Sequence, residues 1–316
     1  MDFPVFDLHC DTALKLLGDS LRERGSLKSN EYHIDLDRAA KLDGYAQCFA
    51  CFTTEPYPEK KIHPAELFER EMVSVLREVE THSDRIRLAY NCDDIELNHK
   101  NGVVSAILTI EGPTGFGYDP ALLQDLYAIG FRMTTLGWNE NNPLTGSHVT
   151  GGGLTELGRD FLFEAQRLGM VVDVSHISDE GFWDIMDQTQ APVVASHSNS
   201  RTVCNHTRNL TDDMFLQICK TGGVAGINLY TEFLGDRATV DTICDHIFHF
   251  LELDPEGKHI ALGGDLDGCD ILPDGIRGIQ DYPTLAARLL ERGLSAEMVR
   301  NIFWNNAMEV FRKCCI

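Results

Sequence analysis

Short apolar runs recur along the whole chain and alternate with amphipathic stretches, and this alternation limits the possible folds more than any other feature. Each run is nearly continuous in Val, Ile, Leu, Ala and Phe, which is typical of strands buried on both faces of a parallel sheet. The eight runs are residues 4–11, 45–52, 103–112, 131–138, 170–176, 191–197, 223–230 and 259–268. Eight buried strands alternating with helices predict an α/β fold of the (β/α)8 TIM-barrel type.

The stretches between the runs have the periodicity of amphipathic helices, and residues 64–80 place four apolar side chains along one stripe. Further helices are predicted at residues 155–169, 179–188, 211–222, 239–253, 282–293 and 294–311, with an extra short strand at 85–91. His246 and His249 are expected on the surface of their helix. No linker or low-complexity segment interrupts the alternation, so we expect residues 1–316 to form a single domain.

The chain is strongly acidic, with 49 Asp and Glu against 27 Lys and Arg and a formal net charge of -22. This charge repels a phosphate backbone and anionic lipid, which argues against nucleic acid or a membrane as partner. The apolar runs are shorter than the roughly 18–20 residues that span a bilayer. The N-terminal sequence MDFPVFDLHCDT lacks the basic start of a signal peptide, so we expect a cytoplasmic protein.

The ten cysteines are expected to be reduced thiols in that compartment. Cys48 and Cys51 form a C-x-x-C motif within the apolar run 45–52, where the two-residue period of a strand places them on opposite faces. A redox-active C-x-x-C requires a turn leading into a helix. We therefore interpret both residues as packing residues.

Ionisable side chains fall at the ends of several predicted strands. These are His9 and Asp11 on the first strand, Glu111 on the third, His176 on the fifth, His197 on the sixth and Asp265 on the eighth. In a barrel all these ends open at one mouth, where the chemistry of the fold takes place. Buried ionisable groups are costly unless they are paired or bound to metal.

The donor types at this mouth favour a metal site. His9 and Asp11 leave the same face of a strand and could hold one cation, while His176 and His197 could hold a second. Glu111 could bridge the two cations with its two oxygens. Imidazole and carboxylate suit Zn²⁺, and also Mn²⁺, Fe²⁺ or Co²⁺. Each histidine taken alone is also compatible with a hydrogen-bonded structural role, but five such groups at one mouth favour metal.

Several segments resemble the membrane dipeptidase (renal dipeptidase) family, binuclear metallopeptidases of the amidohydrolase superfamily. The resemblance runs from Asp7 to about Phe311. Its strongest segments are DLHCDT at 7–12, IEG at 110–112, LGMVVDVSHIS at 168–178, APVVASHSNSRTVCNHTRNLTDD at 191–213 and LGGDLDG at 262–268. It implies a metal-dependent hydrolase barrel with two Zn²⁺ per chain. One ion would be bound by His9, Asp11 and Glu111, and the other by Glu111, His176 and His197.

The resemblance also implies a substrate and roles for two further residues. Arg208 is similar to the residue that binds the substrate carboxylate, and Asp265 to the catalytic carboxylate, with Asp267 a weaker candidate. The implied reaction is hydrolysis of L-Xaa-L-Xaa dipeptides, and many relatives also accept a D residue at the C-terminal position. The sequence resembles the bacterial cytosolic branch, and a homodimer is compatible with the resemblance.

One position departs from the family pattern. Many members carry a substrate-polarising histidine in a T-H-x-x-N context on the fourth strand, where this chain has Trp138. An indole N–H can donate one hydrogen bond but cannot act as a cationic donor. We expect Asn139 or Asn141 to compensate for the missing histidine at the substrate. The alternative is that Trp138 forms a wall of the substrate pocket.

Two other functions remain open from the sequence. The first is an amidohydrolase acting on N-acyl amino acids, lactams or lactones. It would use the same metals to hydrolyse a different bond, and it would accept substrates without an α-amino group. A non-catalytic metal-binding scaffold is the second alternative, favoured by the missing histidine. The retention of Asp265 together with a full set of ligands argues against a scaffold.

Overall fold

Nine parallel strands form one curved sheet in the computed structural model, which describes residues 3–54 and 62–315. The strands are β1 (Val5–Cys10), β2 (Tyr45–Phe52), β3 (Ile86–Leu88), β4 (Val104–Glu111), β5 (Phe131–Thr135), β6 (Val171–Asp173), β7 (Val193–Val194), β8 (Ala225–Ile227) and β9 (Ile260–Leu262). Their spatial order is β7-β6-β5-β4-β2-β1-β9-β8, and β3 pairs with β4 outside this path. The predicted extra strand is therefore β3.

The two ends of this order meet and close the sheet into a barrel. Ala195 and Ala225 form an isolated parallel bridge between β7 and β8. The Ala195 N–H donates to the Val224 carbonyl at 3.0 Å, and the Gly226 N–H donates to the Ala195 carbonyl at 2.8 Å. Eight strands around one axis confirm the predicted (β/α)8 barrel.

Helices follow the barrel strands and form the outer layer. They are α1 (Thr12–Lys15), α2 (Leu36–Ala39), α3 (Pro64–Thr81), α4 (Cys92–Lys100), α5 (Leu123–Ile129), α6 (Glu156–Leu168), α7 (Asp179–Met186), α8 (Asp212–Thr221), α9 (Thr231–Leu234), α10 (Val240–Leu253), α11 (Tyr282–Glu291), α12 (Ala296–Arg300) and α13 (Asn306–Cys314). A π-helical turn at Asn301–Asn305 joins α12 to α13, so the predicted helix 294–311 is one interrupted helix. Local signals set the ends of α6: the Thr155 hydroxyl accepts from the Gly158 N–H, and Gly169 ends the helix at φ +85°.

Several strands end earlier than predicted because side chains take over the backbone hydrogen bonds. The run 170–176 leaves the sheet after Asp173, whose carboxylate accepts from the N–H groups of Ser175 and Ser196 at 2.9 and 2.8 Å. The run 191–197 contributes only the two residues of β7. The residues beyond these points are loop residues, and they include two histidines of the site, His176 and His197.

Apolar packing fills the space inside and around the barrel. Phe6 on β1 contacts Trp304 and Phe311 near the chain end, with ring centroids 5.9 and 5.1 Å apart. Cys48 and Cys51 are fully buried in two different apolar clusters, which confirms their interpretation as packing residues on opposite faces. No helix in the described ranges combines the length and apolar character needed to cross a membrane.

The prediction that His246 lies on a helix surface is wrong. Its ring is fully buried. The His246 Nδ1 accepts from the Ser200 N–H, and its Nε2 donates to the Leu234 carbonyl, both at 3.1 Å. Loops packed over α10 cover this face, and residue spacing within a helix does not reveal what covers it. His249 is half-buried and lies 2.8 Å from Asp212.

Candidate metal centre and active site

The five predicted donors converge around one carboxylate at the carboxyl ends of the strands. Glu111, the last residue of β4, has its Oε2 3.4 Å from the His9 Nε2. Its Oε1 lies 3.0 Å from the His176 Nε2 and 3.7 Å from the His197 Nε2. The His9 Nε2 is also 3.7 Å from the Asp11 Oδ2. The two oxygens of Glu111 therefore face different histidines, as a bridging ligand requires.

Outer hydrogen bonds fix which nitrogen of each loop histidine carries the proton. The Ser196 hydroxyl donates to Asp173 and is left as an acceptor for the His197 Nδ1, 2.6 Å away. The His176 Nδ1 lies 2.8 Å from the Asn139 Oδ1, an oxygen that only accepts. Both histidines are therefore assigned as Nδ1–H tautomers, the form that leaves the Nε2 lone pair for a metal.

The positions of the Nε2 atoms indicate whether these residues fit a metal ion. The Nε2 atoms of His176 and His197 lie 2.9 Å apart, and the assigned tautomers put no proton between them. The Nε2 of His9 is buried, and no residue of the ranges 3–54 and 62–315 hydrogen bonds to it. Lone pairs held this close repel unless a cation lies against both. The donor set thus fits a divalent cation better than it fits a cluster of structural histidines.

The pKa shifts follow the same arrangement. Burial lowers the pKa of His176 to about 3 and that of His197 well below its usual value, so both rings are neutral, as ligands must be. Burial alone would also lower the pKa of His9, but the carboxylates of Glu111 and Asp11 raise it well above its ordinary value. Burial and the charge of Glu111 raise the pKa of Asp11 to about 7. The carboxylates therefore favour positive charge at this point.

Asp265 lies beside the same cluster, with its Oδ1 3.9 Å from the His9 Nε2. Its Oδ2 accepts from the Asn228 side chain at 3.0 Å. Asp267 instead accepts from the Thr12 hydroxyl and from the His33 N–H, so its oxygens bind the loops beside the site. Asp265, with one oxygen facing the donors, is the better placed of the two carboxylates.

Arg208 lies next to the donors but outside the cavity lining. It is only 4% exposed, and its guanidinium donates to the Ser198 hydroxyl at 2.9 Å and the His197 carbonyl at 3.2 Å. Its Nε has no partner, and no carboxylate of residues 3–54 or 62–315 forms an ion pair with it. The Phe233 ring lies 5.5 Å from the guanidinium. A buried guanidinium that has no ion-pair partner in the described residues favours an anionic ligand.

A cavity of about 570 Å³ opens over the cluster. Its lining includes six of the predicted polar residues, namely Asp11, Glu111, Asn139, His176, Asp265 and Asp267. Aromatic side chains form much of the remaining wall, among them Phe52, Trp138, Tyr230 and Phe233. A pocket with an apolar wall and a few convergent polar groups is the usual form of a small-molecule site.

Comparison with known proteins assigns the family. The model of the membrane dipeptidase family (Peptidase family M19) matches residues 1–315. The chain belongs to family M19. A dipeptidase of Schizosaccharomyces pombe, itself uncharacterized, is 35% identical over 238 residues, which are 73% of this chain and 56% of that protein. The dipeptidase tcpJ of Claviceps purpurea is 29% identical over 297 residues, covering 89% of this chain and 69% of its own length.

Solved structures of family M19 share the barrel over its whole length. A metallo peptidase from Rhodobacter sphaeroides, liganded with a phosphinate mimic of the dipeptide L-Ala-D-Ala, has a TM-score of 0.90 and 26% identity, with 99% of this chain and 100% of that chain covered. Dipeptidase AC, a metallo peptidase of the family, has a TM-score of 0.88 and 27% identity, with 99% of both chains covered. The chain spans little more than half the length of the fission-yeast relatives that it matches.

Trp138, which stands where the sequence resemblance implies a histidine, lies in the cavity wall. Its ring packs edge-on against Phe52 at 4.8 Å and lies 6.1 Å from the His176 ring. Asn139 also lines the cavity, but its Oδ1 already accepts from two histidines, which leaves only its amide N–H groups for a substrate. Asn141 is exposed and outside the lining. Of the two asparagines considered, only Asn139 is placed to compensate.

Substitution of Asn139 and Asn141 tests whether an asparagine replaces the missing histidine or whether Trp138 only forms a wall of the substrate pocket. We expect Asn139→Ala to lower kcat/KM for dipeptides by about 10²-fold at saturating metal, the typical cost of one oxyanion donor. Asn141→Ala should leave kcat/KM unchanged because Asn141 is exposed. Steady-state kinetics of both variants decide the point. Full activity in both would make compensation wrong and leave Trp138 as a wall of the pocket.

Three residues support the site in roles that the sequence did not predict. Asp173 positions His197 through Ser196, Asn228 holds Asp265, and His148 contacts Asn139. The sequence could have indicated a role for Asp173, because a carboxylate inside the apolar segment VVDVSH is costly to bury without a partner. Asn228 and His148 depend on contacts between loops of different strands, which one sequence does not reveal.

Proposed function

We propose that this chain is a metal-dependent dipeptidase that holds two Zn²⁺ ions. His9, Asp11 and Glu111 would bind one ion, and Glu111, His176 and His197 the other. The observation that carries the proposal is the pair of Nε2 atoms 2.9 Å apart, beside a carboxylate whose other oxygen faces His9. Membership of family M19 supports peptide-bond hydrolysis as the reaction.

The bound metal would supply a water of lowered pKa and a Lewis acid for the peptide carbonyl. Asp265 accepts the proton of the attacking water at its carboxylate and delivers it to the leaving amine. Asn228, hydrogen bonded to the Asp265 Oδ2, orients the other oxygen toward the reacting atoms. The indole N–H of Trp138 and the amide of Asn139 are the neutral donors proposed for the substrate carbonyl.

Arg208 is proposed to bind the C-terminal carboxylate of the dipeptide. The support is its burial without a carboxylate partner in the described parts of the chain, together with its unpartnered Nε. A substrate carboxylate would supply the missing anion through charge-assisted hydrogen bonds. The Phe233 ring, 5.5 Å from the guanidinium, also lines the cavity.

The proposed substrates are L-Xaa-L-Xaa dipeptides and also dipeptides with a C-terminal D residue. The phosphinate mimic of L-Ala-D-Ala in the Rhodobacter sphaeroides relative supports the second class. We further propose that residues 1–316 act as one domain, since β1 near the N-terminus pairs directly with β9, and Phe6 packs on Phe311 of the last helix.

The proposed function is tested by metal analysis and a dipeptide panel. Protein reconstituted with Zn²⁺ should hold about two ions per chain and hydrolyse L-Ala-L-Ala and L-Ala-D-Ala. N-Acetylated dipeptides, N-acyl amino acids and lactams should be poor substrates. Turnover of the acylated compounds alone would identify an amidohydrolase instead, and metal binding without turnover of any compound would identify a scaffold.

The role of Arg208 predicts a difference between two substrate types. Arg208→Met should raise KM for dipeptides much more than for the corresponding dipeptide amides, because the amides lack the carboxylate. Arg208→Lys should recover little, since an ammonium cannot reproduce the planar two-point contact of a guanidinium. Equal losses on acids and amides would show that Arg208 acts only through the loop that it packs.

A further inference from the structure

The loop that follows Trp138 lies across His176 and fixes its backbone. The His148 N–H donates to the His176 carbonyl at 2.8 Å, and the Ser178 N–H donates to the Gly146 carbonyl at 3.1 Å. Ser147 and Ile177 form an antiparallel bridge between the same segments. His176 has a φ of +71°, a left-handed conformation that is uncommon for a side chain of this size. The contacts from the loop hold it there.

The side chain of His148 reaches the same histidine through an amide. The Asn139 Oδ1 lies 2.9 Å from the His148 Nε2 and 2.8 Å from the His176 Nδ1. Because an amide oxygen only accepts, both ring nitrogens donate to it. The remaining nitrogen of His148, Nδ1, lies 2.9 Å from the Thr207 hydroxyl and accepts from it. Burial, and then the charge of Arg208, lowers the pKa of His148 to about 4, consistent with a neutral ring.

The double contact gives Asn139 a defined orientation. If the amide rotated by half a turn, its NH₂ group would face N–H donors on two rings at once. With His148 absent, only one donor would oppose that rotation, and the rotated amide could donate to the His176 Nδ1. His176 would then carry its proton on Nε2, the nitrogen that faces Glu111. An Nε2–H tautomer cannot bind a metal through that atom.

We infer that His148 is a positioning residue for His176: by donating to Asn139 it holds the amide oxygen against the His176 Nδ1, so that the Nε2 stays available to the metal. The inference rests on the proposed function, because it takes His176 as a metal ligand. It assigns no contact between His148 and the substrate. The same ring also ties the β5 loop to Thr207, the neighbour of Arg208 in the loop that follows β7.

Metal affinity of two variants tests the inference. Dissociation constants for Zn²⁺ are measured by competition with a chromogenic chelator. His148→Ala should weaken binding about 10–100-fold, the usual effect of losing a partner in the outer shell. His148→Gln should stay closer to the unmodified protein because its amide N–H can still donate to Asn139. His249→Ala is the matched control, since His249 contacts Asp212 in the outer layer, and it should bind Zn²⁺ normally.

A double variant and a spectroscopic signal make the test specific. If His148 acts through Asn139, the variant with both His148→Ala and Asn139→Ala should bind Zn²⁺ as weakly as Asn139→Ala alone. In the metal-free protein, ¹⁵N-histidine NMR should show the Nδ1–H tautomer for His176. The signal should persist in His148→Gln and be lost in His148→Ala, and these readouts do not depend on turnover.

The possible outcomes distinguish a failure of the inference about His148 from a failure of the proposed function. Unchanged Zn²⁺ affinity and an unchanged His176 signal in His148→Ala would overturn the inference while leaving the proposed function standing. Additive losses in the double variant would also overturn it, since His148 would then act independently of Asn139. If His176→Ala binds two Zn²⁺ ions as well as the unmodified protein does, the proposed ligand set itself is wrong. If His148→Ala does not fold, the affinity and NMR signal of His148→Gln and Asn139→Ala decide.

Discussion

Replacement of Asp265 by Asn is expected to lower kcat by about 10²–10⁴-fold, the range typical for loss of a general base, while leaving Zn²⁺ bound. Asparagine has the shape of aspartate and can still contact Asn228, but it cannot accept a proton from water. The Asp265 Oδ1 lies 3.9 Å from the His9 Nε2, and Glu111 is closer to that atom at 3.4 Å. Retention of metal therefore does not require Asp265.

Asp267→Asn is the matched comparison because Asp267 is a carboxylate two residues away on the same loop. Its oxygens accept from Thr12 and His33, so the substitution should cost stability more than turnover. Steady-state kinetics and metal analysis of both variants give the result. Near-normal kcat in Asp265→Asn would show that another group accepts the proton. Parallel loss of metal and activity would make Asp265 a ligand, a role that its distance to His9 and Asp11 would permit.

Replacement of Glu111 by Gln is expected to have the largest effect on metal binding. The two oxygens of Glu111 face His9 on one side and the pair His176 and His197 on the other, so one substitution weakens both proposed ion sites. An amide has one donor group and one neutral acceptor in place of two anionic oxygens. The loss of Zn²⁺ affinity should exceed the ~10–100-fold that follows removal of a residue that only supports a ligand.

Glu78→Gln is a suitable control, because Glu78 is also a buried glutamate, and its carboxylate accepts from Leu27 and Ser26. It should keep the full metal content. Elemental analysis after reconstitution and dialysis, with peptidase activity measured on the same samples, gives the comparison. Two Zn²⁺ ions per chain in Glu111→Gln would contradict a bridging role for Glu111.

The sequence is sufficient to predict the barrel because the apolar pattern lies in the strands themselves. Each apolar run contains a barrel strand, and parallel strands around one axis bring their polar ends to one mouth, so His9 and Glu111 meet although about 100 residues separate them in sequence. The ends of the strands were harder to predict. Val193–Val194 is much shorter than its apolar run, because the carboxylate of Asp173 captures backbone N–H groups from the neighbouring loop.

The supporting contacts depend on how loops pack, and the sequence does not encode this in any local pattern. Asn139 was expected to act on the substrate, but its oxygen is occupied by two histidines from different loops. Arg208 was expected to face the substrate directly, and the structure buries its guanidinium behind the lining. In both cases the residue type and its place at the mouth were predictable, whereas its immediate partner was not.

A single residue bridge in the described parts of the chain, between Ala195 and Ala225, closes the barrel from β7 to β8. Only a few backbone hydrogen bonds of the described residues join these two segments, so we expect local opening along this line to cost less free energy than global unfolding. Two residues beyond it, the His197 carbonyl accepts from Asn228, the residue that holds Asp265. Transient opening there would displace both the proposed metal ligand His197 and the proposed proton acceptor Asp265. Opening of the barrel and loss of the site geometry would then occur together. Hydrogen exchange of the Gly226 backbone N–H would measure this opening.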